Sequence, residues 1–560
     1  MKSIWQIKTA PLSEVALLSK ELGVSDLIAK LLWLRGFTTP ENATLFLNQS
    51  LKDLPNPFLL KDMEKAVDLI TTAVKNKKKI VVYGDYDVDG TISSSLLFLF
   101  FKECGYPIDF YIPHRIEEGY SLNIKALHKL KERGFDLIIT VDNGISAHKE
   151  CEVARDLGFT VIVTDHHHVP ETLPVADAIV NPQRRDCAFP AKEICGAGVA
   201  FFLMMALRSR WRESGFFSDK QEPNLTSYLD LLSIATVADV VPLRGVNRII
   251  VQQGLKVLTR TRWEGLKALK NVSKIESADS FDLGFKLGPR LNACGRLYDA
   301  STGVKMLTTE LPQLAQTLAL ELDKANRERR LIESEILEQA KEAVLREENL
   351  RHGYVLSDDR WHPGVIGIVA SRLVEQFHRP FILLGKDGDF LKGSARSLSQ
   401  LSMVDALNEC ATHLIKFGGH KAAAGMTLHR DNLVAFTESF DAYVKSKLTE
   451  SDYMPKLDID SSLDLGDLNQ AYYESLQVLK PFGMGNAEPL FMSEGVKIQS
   501  KQIVGEKHLK LKVGDYQVPA IAFGKGFMIK DVENSVDIAY QLTWDSWADC
   551  PGLIIRDIHT

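Results

Sequence analysis

Short apolar runs rich in β-branched residues alternate along this chain with longer stretches whose apolar positions recur every three or four residues. Between about 60 and 185, runs at 80–83, 108–112, 137–141, 160–164 and 178–180 are separated by helical patterns at 91–101, 124–131 and 147–157. Strands spaced by short helices predict a mostly parallel sheet with right-handed crossovers. A mostly helical stretch follows from about 195 to 310, with a helix over 228–238. From 311 to 349 almost no helix breaker occurs, and Leu318, Leu322, Ala325, Ile332, Ile336 and Ala340 recur at helical spacing. That predicts one amphipathic helix of about 55 Å, a strut between two globular halves.

A second α/β unit is predicted from about 350 to 445, with strands at 353–356, 381–384 and 426–428. Beyond it, alternating runs such as Leu509-Lys510-Leu511-Lys512-Val513 predict a small β barrel. Lys507, His508, Lys510 and Lys512 would make one of its faces basic, which suits an oligonucleotide-binding barrel and also an ordinary β domain with a solvated lysine face. Residues 1 to about 55 read as small helices, a packing appendage. The expected fold class is α/β, with two α/β lobes joined by a long helix and a C-terminal OB-like barrel. The expected segments are 1–55, 56–310, 311–349, 350–450 and 451–560.

Composition narrows this little. The 560 residues allow several cores, and 25% charged with 45% apolar is ordinary globular usage. A net charge of −6 gives no global basic signature, so any nucleic acid must meet a local basic groove or metal ions that mask the acids. The seven cysteines are scattered, without a C-x-x-C pair, which argues against a disulfide framework or structural zinc and suits a reducing compartment. The start lacks a signal-peptide core, and no apolar run reaches the roughly 18 residues of a membrane span, so a cytosolic protein is expected.

The chemistry sits at the predicted strand ends. The first strand runs into Asp85, Asp87 and Asp89, the third into Asp142-Asn143-Gly144, and the fourth into Asp165-His166-His167-His168. A lone acid there could be a helix N-cap or a solvated turn. In a parallel sheet, however, all three ends share one edge, where open α/β sheets bind ligands. Asp239, at the C-terminus of the 228–238 helix, opposes the helix dipole and points to a compensating cation. Mixed Asp and His ligands suit Mn²⁺ or Mg²⁺, and their number permits two ions. Further on, Arg290, Asn292 and Arg296 among glycines make a candidate phosphate clamp. Two glycine-rich stretches, before Ser371 and Arg372 and at Gly418-Gly419-His420, read as loops opening helices with free N–H groups for an anion. With Ser394 and Arg396 they suggest a phosphate-binding wall.

Taken together, Asp85-Tyr86-Asp87-Val88-Asp89-Gly90, Val141-Asp142-Asn143-Gly144, Asp165-His166-His167, Ala235-Thr236-Val237-Ala238-Asp239 and Gly418-Gly419-His420 resemble the DHH phosphoesterase superfamily. The stretches 288–296 and 361–372 and Pro481-Phe482-Gly483-Met484-Gly485-Asn486 resemble its exonucleases specific for single-stranded DNA. The resemblance runs in order from about 30 to the C-terminus. It implies a 5′→3′ exonuclease that releases 5′-mononucleotides in DNA repair and recombination. It implies Asp87, Asp89, Asp142, His166 and Asp239 as ligands of one or two Mn²⁺ or Mg²⁺ ions, with Asp142 as bridge. Asp85 and Asp165 would orient those ligands, and His167 would meet the scissile phosphate. Arg115, Arg290, Asn292 and Arg296 would bind backbone phosphates, while Ser371, Arg372, Ser394, Arg396, Gly418, Gly419 and His420 would hold the 5′ end. Implied partners are single-stranded DNA, a single-strand-binding protein and a helicase, for a monomer in the bacterial cytoplasm. The competing readings are a DHH phosphodiesterase of short oligonucleotides or other small phosphorylated substrates, and a non-catalytic DNA-binding scaffold of the same fold.

Overall fold

The computed structural model describes residues 3–115, 118–119, 121–347, 349–545 and 549–560. The chain forms two compact units, one of residues 10–326 with 471–488 and one of 1–9, 327–470 and 489–560. Among the described residues no helix is long and apolar enough to cross a membrane.

The first unit is built on a five-stranded sheet in the order Asp109–Tyr111, Ile80–Tyr83, Leu137–Val141, Thr160–Thr164, Ala178–Val180, every pair parallel. Its strands are apolar at successive positions because both faces are covered. Ile80, Val82, Ile139 and Ile162 join one core; Val81, Tyr83, Ile138 and Val161, pointing the other way, join a second. Register aligns the carboxyl ends, with Tyr83 beside Thr140 and Val141 beside Thr164. All three acidic strand ends therefore emerge on one edge. The helix Val88–Glu103 starts directly behind the first of them, and Gly196–Glu213 and Leu229–Ala238 complete that side's core.

The second unit holds two sheets. One runs Lys416–Gly419, Ala423–His429, Phe390–Arg396, Phe381–Asp387, Tyr354–Ser357, and only the last pair is parallel. The other forms a barrel: Phe491–Val504 pairs with both His508–Val513 and Ser535–Asp545, which closes the ring through Val518–Ala522 and Cys550–His559. Leu509, Leu511 and Val513 point inward there, and Lys510 and Lys512 outward. The helix Pro312–Leu345 is about 51 Å long, and the division between the units falls on it, after Asn326.

Two sequence expectations need correction. Residues 417–425 do not open a helix; they form a β-hairpin, because Ala423–His429 finds Phe390–Arg396 as an antiparallel partner along its whole length. Gly418, Gly419 and His420 therefore carry no helix N-terminus. The N-terminal appendage is not all helical, since Ile4–Ile7 pairs in parallel with Lys456–Ile459. Arg290, Asn292 and Arg296 lie on the helix Gly288–Leu297.

Candidate metal centre

The buried strand Ile80–Tyr83 delivers Gly84 and Asp85 to the sheet edge, and the chain turns at once into a helix. The turn needs glycine at Gly90, where an added Cβ would lie 2.5 Å from the Asp85 backbone. Asp87 caps the helix, its carboxylate accepting from Gly90 N–H at 3.0 Å. Asp89, in the first turn of that helix, is held from a distant part of the chain. Its two oxygens accept from the N–H groups of Gly196 and Ala197 at 2.6 and 2.8 Å, at the start of Gly196–Glu213. Sequence reasoning missed this pair, because a backbone N–H carries no residue signature; the only hint is Gly-Ala-Gly after Cys195. Gly196 must be small, since its Cβ would meet the Asp142 side chain at 2.7 Å.

Asp142 follows the third strand with φ +62°, a left-handed backbone that aspartate tolerates better than most residues. Its N–H donates to Thr164 C=O at 3.1 Å, and Asn143 Nδ2 donates to the carbonyls of Tyr83 and Val141, tying two strand ends together. Asp165 is saturated differently. It accepts from the N–H groups of His166, His167 and Ile145 and lies 2.7 Å from His167 Nδ1. It fixes the histidine run and its imidazole, with no oxygen to spare. Asn181 and Gln183, also missed, bind the carbonyls of His167 and His166.

The result is a knot of facing ligand atoms. His166 Nε2 lies 3.1 Å from Asp142, 3.7 Å from Asp89 and 3.7 Å from Asp239. Three sets of potential ligands overlap: Asp142, His166 and His167; Asp89, His166 and Asp239; Asp85, Asp87 and Asp142. Asp142 belongs to two of them and His166 to two. Buried Asp85 Oδ1 and Asp239 Oδ2 have no hydrogen-bond partner among the described residues.

Electrostatics state the demand. Burial pushes Asp142 well above the usual carboxylate range, and the charges of Asp89, Asp87, Asp85 and Asp239 add to it. Asp85 and Asp89 are raised mainly by burial, and Asp239 is pushed up to about 9 by burial, then by Asp89 and Asp87. Burial lowers His166 against the pull of Asp89. For His167 burial also acts downward, but the Asp165 hydrogen bond and charge outweigh it and the imidazole is raised. So many buried acids cannot all ionise unless cations sit among them. Oxygen and imidazole donors with orphaned carboxylate atoms fit hard divalent ions.

The expected phosphate contacts fall into two groups. In the unit of the metal edge, Arg115 stacks over Tyr86 at 4.8 Å. Arg290 pairs with Asp323 at 2.9 Å, and Asn292 accepts from Val88 N–H at 3.1 Å, so it braces the Asp87 turn. Arg296 is close enough to Tyr86 for its charge to act on the phenol. In the other unit, Ser394 pairs across the sheet with Gly425 and, one strand on, Gly418, with Arg396 two residues along the same face. Arg396 donates to Ser394 Oγ at 2.9 Å, and the helix Ile366–Phe377 lies so close that a Cβ on Gly367 would meet both side chains. Ser371 is one turn further on that helix, donating to Gly367 C=O. Arg372 pairs with buried Glu333 at 2.5 Å. His420 lies at the hairpin turn, exposed.

Comparison with known proteins adds to this geometry. The DHH family, N-terminal domain, matches residues 79–236; the DHHA1 domain matches 349–446, and the RecJ OB domain 459–556. The chain is similar to the single-stranded-DNA-specific exonuclease RecJ of Bacillus subtilis, 38% identical over 99% of this chain and 71% of that one. It is 39% identical to its Escherichia coli counterpart over 92% of this chain and 90% of that one. The crystal structure of RecJ from Thermus thermophilus in complex with Mn²⁺ matches with TM-score 0.86 and 30% identity, covering all of this chain and 79% of that one. The Mg²⁺ complex of that protein matches at 0.80 and 29%, with 78% of it covered.

Proposed function

The chain belongs to the family of single-stranded-DNA-specific exonucleases RecJ, and from that premise we propose the reaction and the residues that carry it. It is a metal-dependent exonuclease that hydrolyses phosphodiester bonds in single-stranded DNA, with Mn²⁺ or Mg²⁺ as cofactor. One observation carries the reading: five buried or half-buried aspartates and His166 converge at a single sheet edge, where the carboxylates can all ionise only with cations among them.

Asp87, Asp89, Asp142, His166 and Asp239 would hold two ions, with Asp142 shared between them. Bound there, divalent ions make a water more acidic and neutralise charge on the phosphoryl oxygens. The chain's own groups do the rest. Asp165 accepts a hydrogen bond from His167 Nδ1–H, so Nε2 is the atom left to exchange a proton with the departing 3′ oxygen. The upward shift of His167 favours its protonated form, the state that can donate. Asp85 steadies the ligand set from the strand end. Arg115, Arg290, Asn292 and Arg296 contact or position backbone phosphates. Ser371, Arg372, Ser394, Arg396 and the Gly418-Gly419-His420 turn take the 5′ end, which makes the direction 5′→3′ and the products 5′-mononucleotides. Lys510 and Lys512 on the barrel add non-specific backbone contacts. On family grounds the enzyme works as a monomer in the bacterial cytoplasm, in DNA repair and recombination, alongside a single-strand-binding protein and a helicase.

End-labelled single-stranded DNA incubated with Mn²⁺ tests all of this together. Release of the 5′ label as mononucleotide, with duplex DNA resistant and no cleavage without metal, is expected. Release from the 3′ end would sink the polarity. A preference for dinucleotides over long strands would move the protein to the small-substrate DHH phosphodiesterases.

A further inference from the structure

Asp239 is held unlike its neighbours in the ligand set. Asp87 and Asp89 are anchored by N–H groups, whereas Asp239 Oδ2 has no hydrogen-bond partner among the described residues and its side chain is the more exposed, at 22% against 1% for Asp89. Its position therefore depends on its backbone. That backbone turns sharply: Asp239 ends the helix Leu229–Ala238, and Val240 follows with φ +58°. A β-branched residue in the left-handed region is strained, and such strain persists only where the surroundings impose it.

The surroundings come from the stretch Pro481-Phe482-Gly483-Met484-Gly485-Asn486, far off in sequence but part of the same compact unit. Leu243 N–H donates to Met484 C=O at 2.7 Å, and Arg244 Nε to Gly485 C=O at 2.8 Å. Two glycines permit this approach. A Cβ on Gly483 would lie 2.7 Å from Leu243, and one on Gly485, itself at φ +70°, 3.0 Å from Pro242. Asn486, fully enclosed, makes the stretch rigid. Its Nδ2 donates to the carbonyls of Leu479 and Pro481 at 2.8 Å each, and its Oδ1 accepts from Arg35 Nε at 2.9 Å. From the other side Asn247 donates to Pro242 C=O at 3.0 Å.

We propose that residues 481–486 are a clamp on the 240–244 turn that positions the Asp239 carboxylate and so sets the affinity of the metal centre. The inference rests on Asp239 being a metal ligand. Gly485, Asn486 and Arg244 are then positioning residues, acting through Asp239. The chain completes its metal centre only after more than two hundred intervening residues have been made.

Direct titration of Mn²⁺ into the metal-free full chain, well below its unfolding temperature, tests the clamp. Gly485→Ala and Asn486→Ala should each weaken Mn²⁺ binding about tenfold, the lower end of what residues supporting a ligand contribute. Arg244→Ala, an exposed side chain whose loss leaves the core intact, should weaken it less but measurably. Adding Val240→Gly should recover much of the loss, because glycine adopts the turn without being held there. A residue that merely stabilised the fold would lower the unfolding temperature and leave the Mn²⁺ affinity unchanged. Unchanged affinity in folded Arg244→Ala and Gly485→Ala, or no recovery with Val240→Gly, overturns the clamp. Asp239→Asn separates the two claims. If it weakens Mn²⁺ binding while the clamp variants do not, the clamp alone is wrong; if it has no effect, the metal assignment of Asp239 falls and the clamp with it.

Discussion

The acidic edge of the parallel sheet and the basic face of the mixed sheet both gather charge, yet they meet their demand in different ways. At the acidic edge the like charges are buried, and within the overlapping ligand sets the cationic candidates are His166 and His167 alone, so the fold leaves a debt that it does not settle itself. On the mixed sheet and its neighbouring helices the two arginines expected at the 5′ end already have contacts: Arg396 leans on Ser394, and Arg372 on Glu333. The first region is incomplete without an added ion. The second is complete alone and must exchange internal contacts for a ligand. Function at the first should be all or none, and at the second graded.

The largest effect expected from this contrast is at Asp142, which belongs to two of the overlapping ligand sets. Asp142→Ala should lower turnover about a thousandfold or more, at the upper end of what a single electrostatic contact at a reacting centre contributes. The fold and most DNA binding should survive, measured by circular dichroism and by titration with labelled single strands. Near-normal turnover with Mn²⁺ would remove the distinction between the two regions.

At the basic face, Arg396→Ala should weaken binding of a 5′-phosphorylated strand roughly tenfold more than of a 5′-hydroxyl strand, since a charged hydrogen bond contributes about 1.5–3 kcal/mol. Arg372→Ala should cost less. Its guanidinium already shares Glu333 with Arg329, and a phosphate must compete with that contact. Binding measured on both ends for both variants sharpens the comparison. Equal losses on the two ends would assign these arginines to internal phosphates.

The remaining effect is on stability rather than on turnover or binding. Asp239, raised to about 9 in the folded chain, binds its proton more tightly there than in the unfolded chain, where carboxylates titrate near 4. The folded state then holds the extra proton between those values, so its contribution is full below about pH 4 and is lost as pH rises through about 9. Asp142, Asp85 and Asp89 shift in the same direction. The melting temperature of metal-free protein should therefore fall from pH 5 to 9. Saturating Mg²⁺, which replaces those protons, should flatten or reverse the slope. Parallel slopes with and without metal would mean that the acids are relieved by something else.

The parallel sheet was readable because each strand is a β-branched run with a helix pattern behind it, and both signals agree. The mixed sheet was harder. Phe390–Arg396 carries no strand signature, because Lys392, Gly393 and Ser394 interrupt its apolar alternation. Ala422-Ala423-Ala424 read as helix on local propensity, and cross-strand pairing overrode it. The stretch 481–486 carries no signal beyond its family resemblance, because glycine, proline and asparagine look alike in any turn.

What the sequence determined alone is the inventory of side-chain chemistry: which acids and histidines end strands, and that parallel strands must bring those ends to one edge. Local pattern suffices there, since a strand's direction and its terminal residue are both written in a few neighbouring positions. The tertiary structure decided what holds that chemistry in place: the Gly196 and Ala197 N–H groups on Asp89, the Asn181 and Gln183 carboxamides behind the histidines, and the 481–486 stretch against the turn after Asp239. Those supports are mostly backbone groups and small residues arriving from distant segments. Every residue but proline carries the same backbone N–H, so only the folded chain shows which ones are used.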